Sequence, residues 1–444
     1  MKKNKLFAIL AIISNFLTAQ EYRKLVVNNS AFQDVNDSGV AVSFGLIYNW
    51  STNTYVVKEA SVYRLRGTNN NGDLVGSITN GSFRLPAYKL NGSTTWINIP
   101  FPPNTTTTSL FTESVPYQIS DNGRYIAGQM GVLDQITNTS NVIPFVHDIQ
   151  TGTTTRASNS DFVNGTFYSV NNQGKTAGWV DIPTPSTRRV PTLFSETGVF
   201  KYIMHNGNLP TSTSSEVRGI NESGTAVGTF DSLPFIYDPV SDSYTEFANP
   251  NPSLYAGGSF SGISNDGTVV GIWYKPSNTN RYPIIYNPIL GTTPIDFKTY
   301  LINLGVTVNS TADSMGAAYA ISPNGKYIAG FEDGPAIAAY GWIVNLPNLI
   351  LANNEVKSEP VVQFYPNPVV DDIHVSLKTS KSGIAKIELY GLDGKLLNTE
   401  NTTLSQGNNK FTVNVAQSVK GIKSAIIVII TPEGNRITKK LILK

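Results

Sequence analysis

Along most of this chain, apolar and polar residues alternate with period two in short runs that end in Asn, Asp, Ser or Gly. That is the pattern of half-buried strands joined by tight turns. Seven times the alternation leads into one phrase: an apolar residue, Asn or Ser, two polar residues, Gly, then a β-rich run that usually ends in a second Gly. The Asn or Ser and the first Gly are Asn36 and Gly39, Asn69 and Gly72, Ser120 and Gly123, Asn171 and Gly174, Asn221 and Gly224, Ser264 and Gly267, and Ser322 and Gly325. Only the second copy opens on a polar residue, Thr68. In the fifth copy, 217–220 predicts a strand and Asn221-Glu222-Ser223-Gly224 a type I turn. There Asn bonds the following backbone and Gly accepts positive φ. Residues 225–230 predict the returning strand, 234–238 a third and 243–247 a fourth. The third-strand phrase recurs at 45–48, 144–148, 191–195, 283–287 and 341–345.

The turn glycines lie 33 to 58 residues apart. A unit of this size cannot bury its own apolar face, so neighbours must stack. Four strands per unit of about 40–50 residues predict propeller blades, seven of them. The rival architecture is a β-helix, whose coils are usually shorter. Closure needs one more outer strand in the last unit. Residues 22–27 can supply it from the start of the chain, and residues 348–351 compete for the place. Residues 297–304 predict a short amphipathic helix before the seventh copy. Gly128 and Gly330 follow their turn glycines by five residues where the usual interval is four. Bulges near Tyr125 and Tyr327 would absorb the extra residue. The first copy has Ser43 in place of the second Gly.

Composition then divides the chain. Residues 1–19 carry Lys2, Lys3 and Lys5 and no acid ahead of a mostly apolar run closed by Thr18 and Ala19. That is the form of a signal peptide, too short to span a membrane stably. Without these residues the chain carries 30 basic and 31 acidic side chains. It has no basic field for a nucleic acid. The propeller is expected over 20–351 and a polar linker over 352–360. Residues 361–444 hold 11 basic and 6 acidic side chains. Their seven short strands, with hairpin turns at Leu392-Asp393-Gly394-Lys395 and Pro432-Glu433-Gly434-Asn435, predict a small Ig-like β-sandwich. The fold class is thus all-β.

Two resemblances follow from these motifs. The repeat, with Ala318-Tyr319-Ala320-Ile321-Ser322 after a helix-like insert, resembles the secreted HAF-repeat proteins over about residues 30–346. The C-terminal segment resembles the sorting domain of the Bacteroidetes type IX secretion system. Tyr365-Pro366-Asn367-Pro368 is similar to its opening, the hairpin around Asp393 and Gly394 to its centre, and Lys439-Lys440 to its basic terminus. Gly421-Ile422-Lys423-Ser424-Ala425 departs from the family, which usually shows Gly, one residue and Tyr there. The resemblance implies export across the outer membrane by the type IX machinery. It also implies cleavage of the sorting domain, with the passenger released or fixed to surface lipopolysaccharide.

Signs of chemistry are sparse. Cysteine is absent, which excludes disulfides and thiolate sites. The three histidines include His147, which occupies a strand slot held by tyrosine in sister units and reads as packing. No Ser-His-Asp set or paired-His spacing can be assembled, so no catalytic residue, cofactor or metal is expected. Asp34-Val35-Asn36-Asp37-Ser38-Gly39 starts like a calcium loop, but Gly45 stands where the bidentate Glu belongs. Trp179, Phe230, Trp273 and Phe331 each follow the second Gly of a copy within two residues, as a ring platform at one rim would require. The sequence therefore predicts an exported, non-catalytic binding propeller for a glycan or protein. The alternative is a secreted polysaccharide hydrolase or lyase.

Overall fold

The computed structural model describes residues 21–157, 164–182, 188–195, 200–276, 281–308, 314–332, 339–346 and 363–443, except 367, 380, 392–394, 417–421 and 433–435. The signal segment, the linker and residues 348–351 lie outside them. The chain divides into two compact units, 1–349 and 350–444.

In the first unit the described residues form seven antiparallel sheets, here called blades 1 to 7. Their innermost strands are Phe32–Val35, Val62–Thr68, Val115–Ile119, Gly165–Val170, Glu216–Ile220, Gly257–Ile263 and Met315–Ile321. Each contacts the inner strand of the next blade, and the seventh contacts the first, so the blades close into a propeller. Blade 7 takes its outermost strand from the start of the chain. Glu21–Leu25 pairs with Gly341–Asn345, Tyr22 opposite Val344. Blade 3 is the largest, because Tyr125–Asp134 and Thr139–Asp148 form a ten-residue hairpin that also pairs Thr105–Thr106.

The repeated turn does two jobs. Within a blade, Asn221 Oδ1 accepts from Thr225 N at 3.0 Å, and Gly224 donates to Asn221 O with φ +87°. Between blades, the Asn amide reaches the next turn. Asn36 Nδ2 donates to Asn69 O at 2.8 Å, Asn69 Nδ2 to Ser120 O at 3.3 Å, Asn171 Nδ2 to Asn221 O at 3.2 Å and Asn221 Nδ2 to Ser264 O at 3.2 Å. Where Ser replaces Asn, other groups complete the circle. Asn122 N donates to Asn172 Oδ1, Asn265 N to Pro323 O and Asn324 N to Asp37 Oδ1, each at 2.8 Å.

The expected bulges at Tyr125 and Tyr327 are not there. Both second strands pair in unbroken register with their third strands. The extra residue sits in the turn, where Ser120 Oγ accepts from Tyr125 N and Ser322 Oγ from Tyr327 N, both at 2.9 Å. In these two turns serine spans the longer loop, whereas Ser264 sits in a turn of the usual length.

Apolar residues fill the wedges between blades. Phe32, Phe167 and Phe260 occupy one position of the repeat and are fully buried against the preceding blade. Truncating such a ring costs about 3–5 kcal/mol. The helix Phe297–Asn303, capped by Asp296 accepting from Thr299 N at 2.7 Å, packs Phe297 and Leu301 with Trp342 and Val344.

The second unit is a sandwich of two sheets. One holds Gln363–Tyr365, Asp372–Thr379 and Gly407–Asn414. The other orders Leu396–Leu404, Gly383–Gly391, Ser424–Ile430 and Arg436–Ile442. Its core is aliphatic, from Ile373, Val375, Ile387, Leu389, Ile427 and their neighbours.

Candidate functional site: the propeller axis

Every inner strand carries a β-bulge at the same place, three residues before the turn Asn or Ser. The skipped residues are Gln33, Arg66, Tyr117 and Tyr168 in blades 1 to 4, then Arg218, Ser261 and Tyr319. A bulge leaves one residue unpaired and re-aims its side chain. All seven line one cavity of about 90 Å³ on the propeller axis. The second Gly of the repeat explains how the bulge fits. At Gly178 a Cβ would fall 1.9 Å from Thr166 O, so only glycine lets the bulged backbone come this close. Blade 1, with Ser43 there, pairs Ser43 opposite Phe32 and ties its Oγ to Asn29 O at 2.8 Å.

The cavity wall is aromatic and basic. Tyr117 and Tyr168 meet edge to face with centroids 4.9 Å apart. Arg66 lies over Tyr117 at 5.1 Å and over Phe44 at 4.6 Å. Arg218 stacks on Tyr168 at 4.3 Å, donates to Tyr319 Oη at 3.4 Å and pairs with Glu216. Burial opposes its charge, but the Glu216 carboxylate and the surrounding tyrosines hold its pKa well above the ordinary value. Arg189 shares Glu216 at 3.0 Å and covers Trp179 at 3.7 Å. Burial raises the pKa of Tyr117 and Tyr168, so these phenols are neutral donors.

Towards the turns the axis becomes acidic. A second cavity of about 40 Å³ is lined by Asp34, Asp121 and Glu222 among others. Asp34 accepts from Thr68 N at 3.0 Å and Val35 N at 2.9 Å, yet burial pushes its carboxyl up to about 7. Burial, then Glu222 and Asp37, push Asp121 up to about 7 as well. Among the described residues no three acidic or histidine side chains gather as a metal site.

The four rings named as a rim platform are largely covered. Trp179, Phe230 and Trp273 are 9%, 4% and 3% exposed, and Phe331 is half-buried. Trp179 donates to Tyr168 Oη at 3.1 Å, Phe230 packs on Tyr244, Trp273 on Tyr255 and Phe331 on Tyr319. Each of the four thus has a packing partner. His147 is buried, its Nδ1 3.0 Å from Thr154 Oγ1, and burial lowers its pKa to about 4. The fixed offset from the turn was the sequence signal for the seven axial residues, and alternation alone conceals it.

In the second unit, Tyr365 pairs opposite His374 with ring centroids 5.3 Å apart, and Pro366 and Pro368 are exposed. Val369, next along, donates to Ile442 O at 2.7 Å, so the opening motif and the basic terminus meet. Lys439 is exposed and sits opposite Ile427. Lys440 stands opposite Ile426 in the same strand. Asn367, Asp393 and Gly394 lie outside the described residues, but Gly391 N to Lys395 O, 2.8 Å, closes the hairpin around the latter two.

Residues 363–444 match the family of secretion system C-terminal sorting domains. The chain is therefore a β-propeller followed by a type IX sorting domain, which marks it for the type IX secretion machinery and for release or display outside the cell. No curated protein matches it significantly. Among solved structures it is similar to PorZ, a surface component of the type IX secretion system of Porphyromonas gingivalis. The identity is 11% and the TM-score 0.38, over 95% of this chain and 58% of that one. TolB from Acinetobacter baumannii shares 12% identity at TM-score 0.38, over 71% and 78%. The β-propeller domain of the Trilobed protease from Pyrococcus furiosus shares 9% at TM-score 0.42, over 73% and 99%. No helix among the described residues is long and apolar enough to cross a membrane.

Proposed function

We propose that the propeller is an exported binding module that takes the end of a saccharide into its axial cavity. The observation that carries this reading is the convergence of seven bulge residues on one small space. Three tyrosines there offer faces for a sugar ring, while Gln33, Ser261 and the two arginines offer hydrogen-bonding groups. A cavity of about 90 Å³ is too small for a whole disaccharide, so one terminal group enters and the rest stays outside. Nothing in the arrangement requires bond cleavage for this role. Residues 1–19 would direct the first export step, and Tyr365, Pro366, Asn367, Pro368, Asp393, Gly394, Lys439 and Lys440 would present the sorting domain to the machinery.

A glycan array probed with the full-length protein and with Ser261→Tyr tests the idea. Tyrosine already stands at this bulge in three sister blades, so the variant should fold and melt as the parent does. It should lose saccharide binding by filling the cavity. Retained binding by Ser261→Tyr would place the ligand elsewhere.

A further inference from the structure

The two mouths of the channel differ in charge. At the turn mouth stand Asp37, Asp121 and Glu222, each directly after the motif Asn or Ser. The opposite mouth is built where inner strands begin, and on blade 2 it is basic. Arg64 and Arg66 lie over the same ring, Phe44, at 5.4 and 4.6 Å. Arg84 from Phe83–Lys89 stacks on Tyr63 at 4.7 Å, and Arg64 lies over that ring too, at 4.9 Å. Glu113 pairs with Arg64 at 3.6 Å. Arg84 donates to the backbone oxygens of Phe83 and Gly81 at 3.1 and 3.4 Å. Arg66 meets aromatic faces, and its buried Nε has no hydrogen-bond acceptor among the described residues. Asp34 lines the same cavity, but its oxygens are taken by backbone N–H groups.

Three guanidiniums interleaved with Phe44, Tyr63 and Tyr117 thus run from the rim to the axis with one paired carboxylate, Glu113, among the described residues. We propose that this strip binds an acidic polysaccharide, one bearing uronate carboxylates, whose terminal residue enters the axial cavity. The proposal rests on the saccharide reading above and specifies its charge. Stacking holds the guanidinium planes in place before binding, so a carboxylate meets a preset fork at little entropic cost. Alternating rings suit the apolar faces of successive sugars. The acidic mouth at the far end repels the same polymer and sets its direction of entry.

Calorimetric titration of the full-length protein tests this, using oligomers of galacturonate, guluronate and glucuronate-containing chains, with methyl-esterified oligogalacturonate and polyglutamate as controls. At least one uronate oligomer should bind about tenfold or more tighter than the ester, and more weakly as salt rises. Arg84→Gln should lose about tenfold for that oligomer and leave the ester unaffected, and Arg66→Gln, within the cavity wall, should weaken the oligomer about tenfold more than it weakens the ester. Arg84 is on the rim, so its variant should also keep the parent melting temperature. Equal binding of acid and ester, or variants without effect, would overturn the charge assignment and leave the saccharide reading standing. Polyglutamate binding as tightly as the best oligomer would overturn the sugar part of the proposal. Failure of every saccharide, array included, would remove both readings together.

Discussion

At the scale of single residues, the same position of the repeat is asked for different things in different blades. The residue after the motif Asn or Ser is Asn in blades 2, 4 and 6 but Asp121 in blade 3 and Glu222 in blade 5. Burial of Asp121 near Glu222 and Asp37 raises its carboxyl to about 7, against about 4 in an unfolded chain. Between those values the folded form keeps a proton that the unfolded form has released. The group's contribution to stability is therefore greatest at low pH and falls as pH rises through that window. Asp121→Asn installs the sister-blade residue and removes the loss. Its melting temperature should exceed the parent's at pH 8 and match it at pH 4. Parallel curves across that range would show that Asp121 is not buried with its acidic neighbours as described. The turn residues themselves were legible in the sequence, because Asn bonding and positive φ at Gly are local demands. The bulge residues were not, although Gln33, Arg66 and Tyr117 stand at a constant offset. A bulge exists only when a partner strand approaches, and its mark in six of the seven copies was the second glycine, whose purpose is tertiary. The rings after that glycine are covered for a related reason. Trp273 lies in a wedge shared with the preceding blade, and Trp179 packs on Tyr168 and Arg189 of its own blade.

At the scale of elements, ring closure rests on one five-residue strand. The spare strand at the start of the chain was legible because the last unit lacked a fourth partner. Its register, Tyr22 opposite Val344, was not, since Tyr22 and Leu25 pack into cores on opposite faces and the five residues show no strict alternation to fix it. Arg23 adds anchorage, donating to Trp50 O at 2.6 Å and lying 3.9 Å over the Trp50 ring. Deleting Glu21–Leu25 should expose the edge of Gly341–Asn345 and lower the melting temperature by more than about 10 °C. A synthetic peptide of that sequence should restore part of the loss. An unchanged melting curve would mean that the ring closes without this strand. The helix Phe297–Asn303 was also legible, from its apolar spacing, and it serves to cover Trp342.

At the scale of the whole molecule, two units with separate cores carry separate tasks. The sorting domain was the most readable part of the chain, because its motifs are short, ordered and confined to 82 residues. The ligand was the least readable, because the axial wall takes one residue from each of seven distant segments. Deletion of residues 361–444 should leave the propeller folded but hold it in the periplasm, which fractionation of cells expressing the truncated chain would detect. Appearance of the truncated chain in the medium would contradict the sorting role.

The claim that joins these scales is that ligand is held on the axis, and the absence of cysteine allows a direct test. Ser261→Cys places the only thiol of the protein in the cavity wall. Bound saccharide should slow its alkylation by a maleimide in proportion to occupancy, and the fully alkylated protein should no longer bind. Alkylation at an unchanged rate in saturating ligand, or full binding after complete alkylation, would contradict the axial site.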